Sequence, residues 1–111
     1  MAEQIKYVSI EKLHGGNYQA WKRRMEIVLI GIECFGFIDQ TEEPLPDDAD
    51  YEMRKRYDRR RSTAFMTIAM NVSDEVLRLL RDIKDPRLAW DELRRAYEPS
   101  TRARRGLLLE F

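Results

Sequence analysis

The sequence predicts an all-α protein, a compact bundle of four to five helices behind an extended N-terminal arm. Three observations predict it. Apolar residues step by three and four along most of the chain, the spacing that lines them up on one side of a helix. Helix start and stop signals (Asn17, Ser73, Asp85-Pro86 and the glycines) divide those stretches into helix-sized pieces. No strand-rich stretch, internal repeat or low-complexity tract interrupts them.

Residues 1–16 read as the arm: Ile5, Tyr7, Val8 and Ile10 carry apolar groups, and Gly15-Gly16 stops any helix. Asn17 is the expected N-cap of the first helix. Its stripe runs through Tyr18, Trp21, Met25, Val28, Leu29 and Ile32, with Lys22, Arg23, Arg24 and Glu26 on other faces. Gly31 weakens the helix near its end, and Gly36 is expected to close it. Residues 39–50 form a loop that holds Pro44, Pro46 and a block of acids: Asp39, Glu42, Glu43, Asp47, Asp48 and Asp50.

Asp47 or Asp48 is expected to cap a long second helix from about Asp50 to Met70, ending near Asn71. Its first half is nearly all charged around Tyr51, Met53 and Tyr57 and should project over solvent. Its second half, with Ala64, Phe65, Ile68, Ala69 and Val72, should be buried. Ser73 starts a short third helix with acids in its first turn and Val76, Leu77, Leu79, Leu80 and Ile83 on its apolar side. Asp85-Pro86 starts a fourth with proline in the favoured first position. That helix carries Leu88, Ala89, Trp90, Leu93, Ala96 and Tyr97 and ends at Glu98-Pro99-Ser100. Ser100 or Thr101 is expected to cap a last segment with Leu107, Leu108, Leu109 and Phe111. Three leucines in a row at the end of a helix read as the front part of a longer protein.

At 111 residues the chain fits one domain, the arm at 1–16 and the helical domain at 17–111, with a modest core. Its 43% hydrophobic and 36% charged residues describe a globular chain instead of a disordered one. No apolar run approaches the roughly 20 residues of a membrane span, and the N-terminus lacks a secretory layout. A lone cysteine, Cys34, excludes an internal disulfide and suggests a reducing compartment, cytoplasm or nucleus. The 20 basic and 20 acidic side chains cancel, giving little long-range pull on nucleic acid. They are segregated, however. The acidic block is followed at once by Arg54, Lys55, Arg56, Arg59, Arg60 and Arg61, and Arg102, Arg104 and Arg105 form a second basic group. Opposed blocks favour head-to-tail contacts or local neutralisation.

Candidate chemistry is sparse. His14, the only histidine, sits beside two glycines, whereas a catalytic or metal-bound histidine needs orienting partners. Cys34 has no nearby cysteine or histidine in sequence and reads as a small buried apolar group. His14-Gly15-Gly16 lacks the Gly-Lys-Ser/Thr ending of a phosphate loop. The expectation is therefore a non-enzymatic protein with no cofactor, metal or small-molecule substrate.

Leu13-His14-Gly15-Gly16-Asn17-Tyr18-Gln19-Ala20-Trp21-Lys22 resembles the "L-x-G-x-N-Y-x-x-W-K" opening of copia-type retrotransposon Gag proteins. Phe35-Gly36-Phe37-Ile38-Asp39 resembles the exit of that family's first helix. Asp85-Pro86-Arg87-Leu88-Ala89-Trp90-Asp91-Glu92-Leu93 is similar to its "A-x-x-A-W-D-x-L" helix, and Tyr97 with Ser100-Thr101 to the segment that follows. Two departures bear on the assembly surface more than on the fold. Tyr51 or Tyr57 stands where the family often has a tryptophan, and the basic run is unusually dense.

The resemblance implies the N-terminal part of a capsid domain, whose copies self-associate into virus-like particles around the element's RNA. It does not separate an active element from a domesticated Gag-like interaction module. The expected core is Tyr18, Trp21, Met25, Leu29, Ile68, Leu77, Leu80, Trp90, Leu93 and Tyr97. The expected assembly or RNA contact is Arg54, Lys55, Arg56, Arg59, Arg60 and Arg61. The main partner is another copy of the chain, with weak RNA contact as a second expectation.

Overall fold

The computed structural model describes residues 8–99. The start of the arm, the cap at Ser100 or Thr101, the basic group Arg102, Arg104 and Arg105, and the final leucine segment lie outside the described residues. Among those described the protein is helical, with no strand beyond one isolated bridge.

Helix α1, Tyr18–Gly31, buries Tyr18, Trp21, Met25 and Leu29 along one stripe. Asn17 holds the cap position, but its side chain turns backwards. Its Oδ1 accepts from the His14 N–H at 3.0 Å and its Nδ2 donates to the Lys12 carbonyl at 3.0 Å, so it organises the preceding turn and makes no side-chain cap bond to the helix. The helix stops at Gly31, not at Gly36. Glu33 takes a left-handed backbone with φ 61°, and the Cys34 N–H returns to the Leu29 carbonyl at 2.8 Å. Those bonds satisfy the helix end without glycine. Gly36 instead opens a one-turn helix, α2, Gly36–Asp39, which buries Phe37 and Ile38.

The long helix α3, Tyr51–Ala69, is capped by Asp50, whose carboxylate accepts from the Met53 N–H at 2.8 Å. The expected caps, Asp47 and Asp48, lie too far upstream: only the residue directly before the helix, in extended backbone, reaches the N–H groups of the first turn. The first half of α3 runs over solvent, and Ala64, Thr67 and Ile68 bury its second half.

Ser73 caps α4, Asp74–Leu77, which tightens at once into a 3₁₀ turn, Arg78–Leu80. So short an element has one inward side, and Val76 and Leu80 occupy it. Leu77, expected in the core, is 41% exposed for that reason. Asp85 caps the last helix, α5, Pro86–Tyr97, accepting from the Leu88 N–H at 2.9 Å, with proline in its first turn.

Helix α3 packs on α5 and α1, and α2 packs on α5. The two indoles meet between these helices: the Trp21 and Trp90 rings lie 6.0 Å apart, and the residues are 2% and 7% exposed. Met25, Leu29, Ile68, Leu80 and Leu93 join them in one core, with Tyr97 half-buried at its edge. The described end of the arm belongs to that core. Leu13 is fully buried, its N–H donates to the Asn71 carbonyl at 3.0 Å, and its carbonyl accepts from the Ser73 N–H at 2.9 Å.

Candidate functional site

Two regions of the molecule carry the residues singled out by the sequence. The first is the junction of the two tryptophan segments. Tyr18 lies 6.4 Å from the Trp21 ring and 6.4 Å from Tyr97, so a chain of aromatic rings runs from Tyr97 through Tyr18 and Trp21 to Trp90. Gly15 sits against this chain with φ 97°, and a Cβ there would stand 3.1 Å from the Tyr97 ring. Glycine meets both the backbone and the space requirement. Burial raises the Tyr18 phenol well above its ordinary range, which keeps it neutral.

Asn71, passed over by sequence reasoning, ties the junction together. Its carbonyl accepts the Trp21 indole N–H at 2.7 Å as well as the Leu13 N–H. Its side-chain amide accepts from Ile10 at 3.0 Å and donates to the carbonyls of Val8 at 3.1 Å and Thr67 at 2.7 Å. In the sequence an asparagine there signals only a helix end. Its buried role depends on an arm sixty residues upstream, which no local pattern contains.

The second region is the basic run on α3. The structure divides its six cations into two sets. Arg60 makes a two-pronged pair with Glu42 at 2.8 and 2.9 Å, donates to the Glu33 carbonyl at 2.6 Å and stacks over the Phe37 ring. The Arg60 hydrogen bonds hold the Glu42 carboxyl below its ordinary range, against a smaller upward effect of burial. Arg61 donates twice to Asp85, at 3.0 and 2.5 Å. Partial burial would raise the Asp85 carboxyl, but the Leu88 N–H and Arg61 together bring it below the ordinary range. Arg54 folds back onto the carbonyls of Ala49 and Asp47 at 3.1 and 3.2 Å. These three arginines hold the acidic loop and α5 to α3.

Lys55, Arg56 and Arg59 remain on the outer side of α3, all exposed and without an ion pair among the described residues. With Glu52 they border a shallow depression of about 220 Å³. A second cleft, of about 240 Å³, opens between Pro44, Leu45, Pro46 and the α3 residues Met53, Arg56 and Tyr57. Both are open and shallow.

His14 is exposed, with Nε2 3.7 Å from a Glu11 carboxylate oxygen. Cys34 is buried beside the Ile32 and Arg60 carbonyls, and burial pushes its thiol up, away from the thiolate that a nucleophile requires. Among the described residues no group of three or more His, Cys, Asp or Glu side chains is placed to hold a metal ion, and no helix is long and apolar enough to cross a membrane. Comparison with protein-family models, with curated proteins and with solved structures finds no match for this chain.

Proposed function

We propose that this chain is a structural domain that self-associates through its surface, of the kind found at the N-terminal part of copia-type Gag capsids. In that setting its copies build cytoplasmic virus-like particles around element RNA. The observation that carries the reading is the convergence of the resemblance-bearing residues. Gly15, Tyr18 and Trp21 from one segment and Trp90 and Tyr97 from the other pack into one aromatic chain. With the interior filled in this way, what is left to act is the exterior, and its most distinctive part is the charged first half of α3 with the acidic loop before it.

Assembly from many identical weak contacts suits such a surface, because charge pairs at a rim set register more than affinity. The test is to express the chain within the longest reading frame that contains it and to examine the product by light scattering and electron microscopy. Closed particles are expected. A monomer or dimer under all conditions would replace the capsid reading with that of a Gag-like module recruiting another protein.

RNA binding is the second reading, favoured by Lys55, Arg56 and Arg59, which make no ion pair among the described residues. Titration with single-stranded RNA at several salt concentrations separates the two. Affinity tighter than micromolar at physiological salt, falling steeply as salt rises, supports the RNA reading.

A further inference from the structure

We infer that the segment Leu107-Leu108-Leu109 docks on the outer side of α1, against Ile27 and Ile30 of its own chain. The two isoleucines are 54% and 56% exposed. Among the described residues no other two exposed large aliphatic side chains stand one helical turn apart on the same helix. They lie on the side of α1 away from Trp21, Met25 and Leu29, and Gly31 beside them is bare: a Cβ there would meet nothing within 4 Å. Aliphatic groups left in water favour an apolar cover.

The end of α5 points to the occupant. Glu98 closes that helix beside the start of α1, with a carboxylate oxygen 3.3 Å from Lys22 Nζ, and the Tyr97 ring lies 6.4 Å from Tyr18. The Glu98 backbone is extended (φ −86°, ψ 123°) and Pro99 follows, so the chain leaves the α5 axis at this point. Residues 100–111 therefore set out from beside Lys22.

The lengths agree. Ile27 and Ile30 stand roughly 7.5 and 12 Å beyond Lys22 along the helix axis. Leu107 to Leu109 can stand roughly 14–17 Å beyond Glu98 as helix, and up to roughly 30–40 Å as extended chain. A chain that turns and returns beside α1 brings its leucines level with the isoleucines, with length left for the turn. Leu88, 58% exposed, is also within reach but stands singly on its helix.

Charge does not drive this contact. Arg102, Arg104 and Arg105 precede the leucines, and on the way they pass Arg23 and Arg24 as well as Glu26. Apolar contact carries the docking against that repulsion, so added salt should tighten it. The contact lies within one chain and stands apart from the self-association reading.

The test uses the 111-residue chain with labelled isoleucine and leucine methyl groups. Nuclear Overhauser contacts from Ile27 and Ile30 to Leu107, Leu108 or Leu109 are expected. A mixture of isoleucine-labelled and leucine-labelled chains should lose them. Contacts that survive in the mixture make a second copy the occupant and overturn the proposal, as does their absence from the doubly labelled chain.

A thermal melt gives a second readout. Ile27→Gln with Ile30→Gln replaces two exposed side chains by a good helix former, so a bare face predicts no loss. Docking predicts a midpoint lower by about 4–8 °C, with a larger drop at high salt. The same pair should add nothing in a chain that carries Leu107→Gln, Leu108→Gln and Leu109→Gln. An unchanged midpoint, or an equal drop in both backgrounds, overturns the docking and leaves self-association untouched.

Discussion

The Trp21 and Trp90 rings lie 6.0 Å apart and tilted by 31°, and the Trp21 indole N–H also donates to the Asn71 carbonyl at 2.7 Å. One side chain thus joins α1 to α5 by packing and to the end of α3 by a hydrogen bond. Trp21→Ala removes both and should cost ~3–5 kcal/mol, a large share of what a small domain possesses. Trp90→Ala should cost a similar amount without the hydrogen-bond component. Denaturant unfolding measures both, and a wild-type midpoint for either variant contradicts this account of the core.

Asn71 should be more sensitive to chemistry than to size. Asn71→Ala leaves the Ile10 N–H and the Thr67 carbonyl without their partner and should cost about 1–3 kcal/mol. Asn71→Asp keeps the shape but turns a carboxylate oxygen toward the carbonyls of Val8 and Thr67, so it should be the worse of the two. Hydrogen exchange locates the effect. Protection at Ile10 should fall first, while the Leu13 N–H keeps the Asn71 carbonyl. Equal loss at both amides would show that the arm docks as one unit.

Two glycines should respond with opposite signs. Gly15→Ala meets the Tyr97 ring at 3.1 Å in a left-handed backbone and should destabilise by about 1–2 kcal/mol. A Cβ on Gly31 meets nothing within 4 Å at the end of α1, so Gly31→Ala should stabilise by about 0.5 kcal/mol. Thermal melts of the two variants are the check, and a shift in the same direction would falsify the assignment.

Acid should weaken the junction of α3 and α5. Folding lowers the proton affinity of Asp85, so its contribution is complete above about pH 5, where the unfolded carboxyl is almost fully ionised. It is lost as the pH falls through the lower folded value. Asp85→Asn keeps a capping oxygen but discards the pair with Arg61. It should melt below wild type at pH 7, with the gap narrowing as the pH drops below about 5. Glu42 shifts in the same direction through Arg60, so the variant retains part of the acid slope. A gap of constant size across that range would count against the pairing.

The helices were legible because each is written locally. The stripe from Tyr18 to Leu29 and the Asp85-Pro86 start contain their own instructions within one or two turns. Misreadings came where a neighbour in space outweighed a neighbour in sequence. Leu77 has the right spacing for a buried helix, but α4 gives way to a 3₁₀ turn and only Val76 and Leu80 face inward. Asn17 suits a cap, yet the turn at residues 12–14 claims its side chain. In the basic run all six cations look alike in sequence, and the partners of Arg60 and Arg61, Glu42 and Asp85, lie outside α3.

By itself the sequence determined the helical class, the helix starts at Tyr18, after Ser73 and at Pro86, and the two tryptophans as core residues, since periodicity and capping act over a few residues. The tertiary structure alone decided that Asn71 clamps the arm, that Glu33 and not a glycine turns the chain out of α1, and which cations of the basic run are paired within the chain. The reason is range. A side chain's helical preference is set within one turn, but whether its charge or amide is spent depends on what long loops bring within about 3 Å.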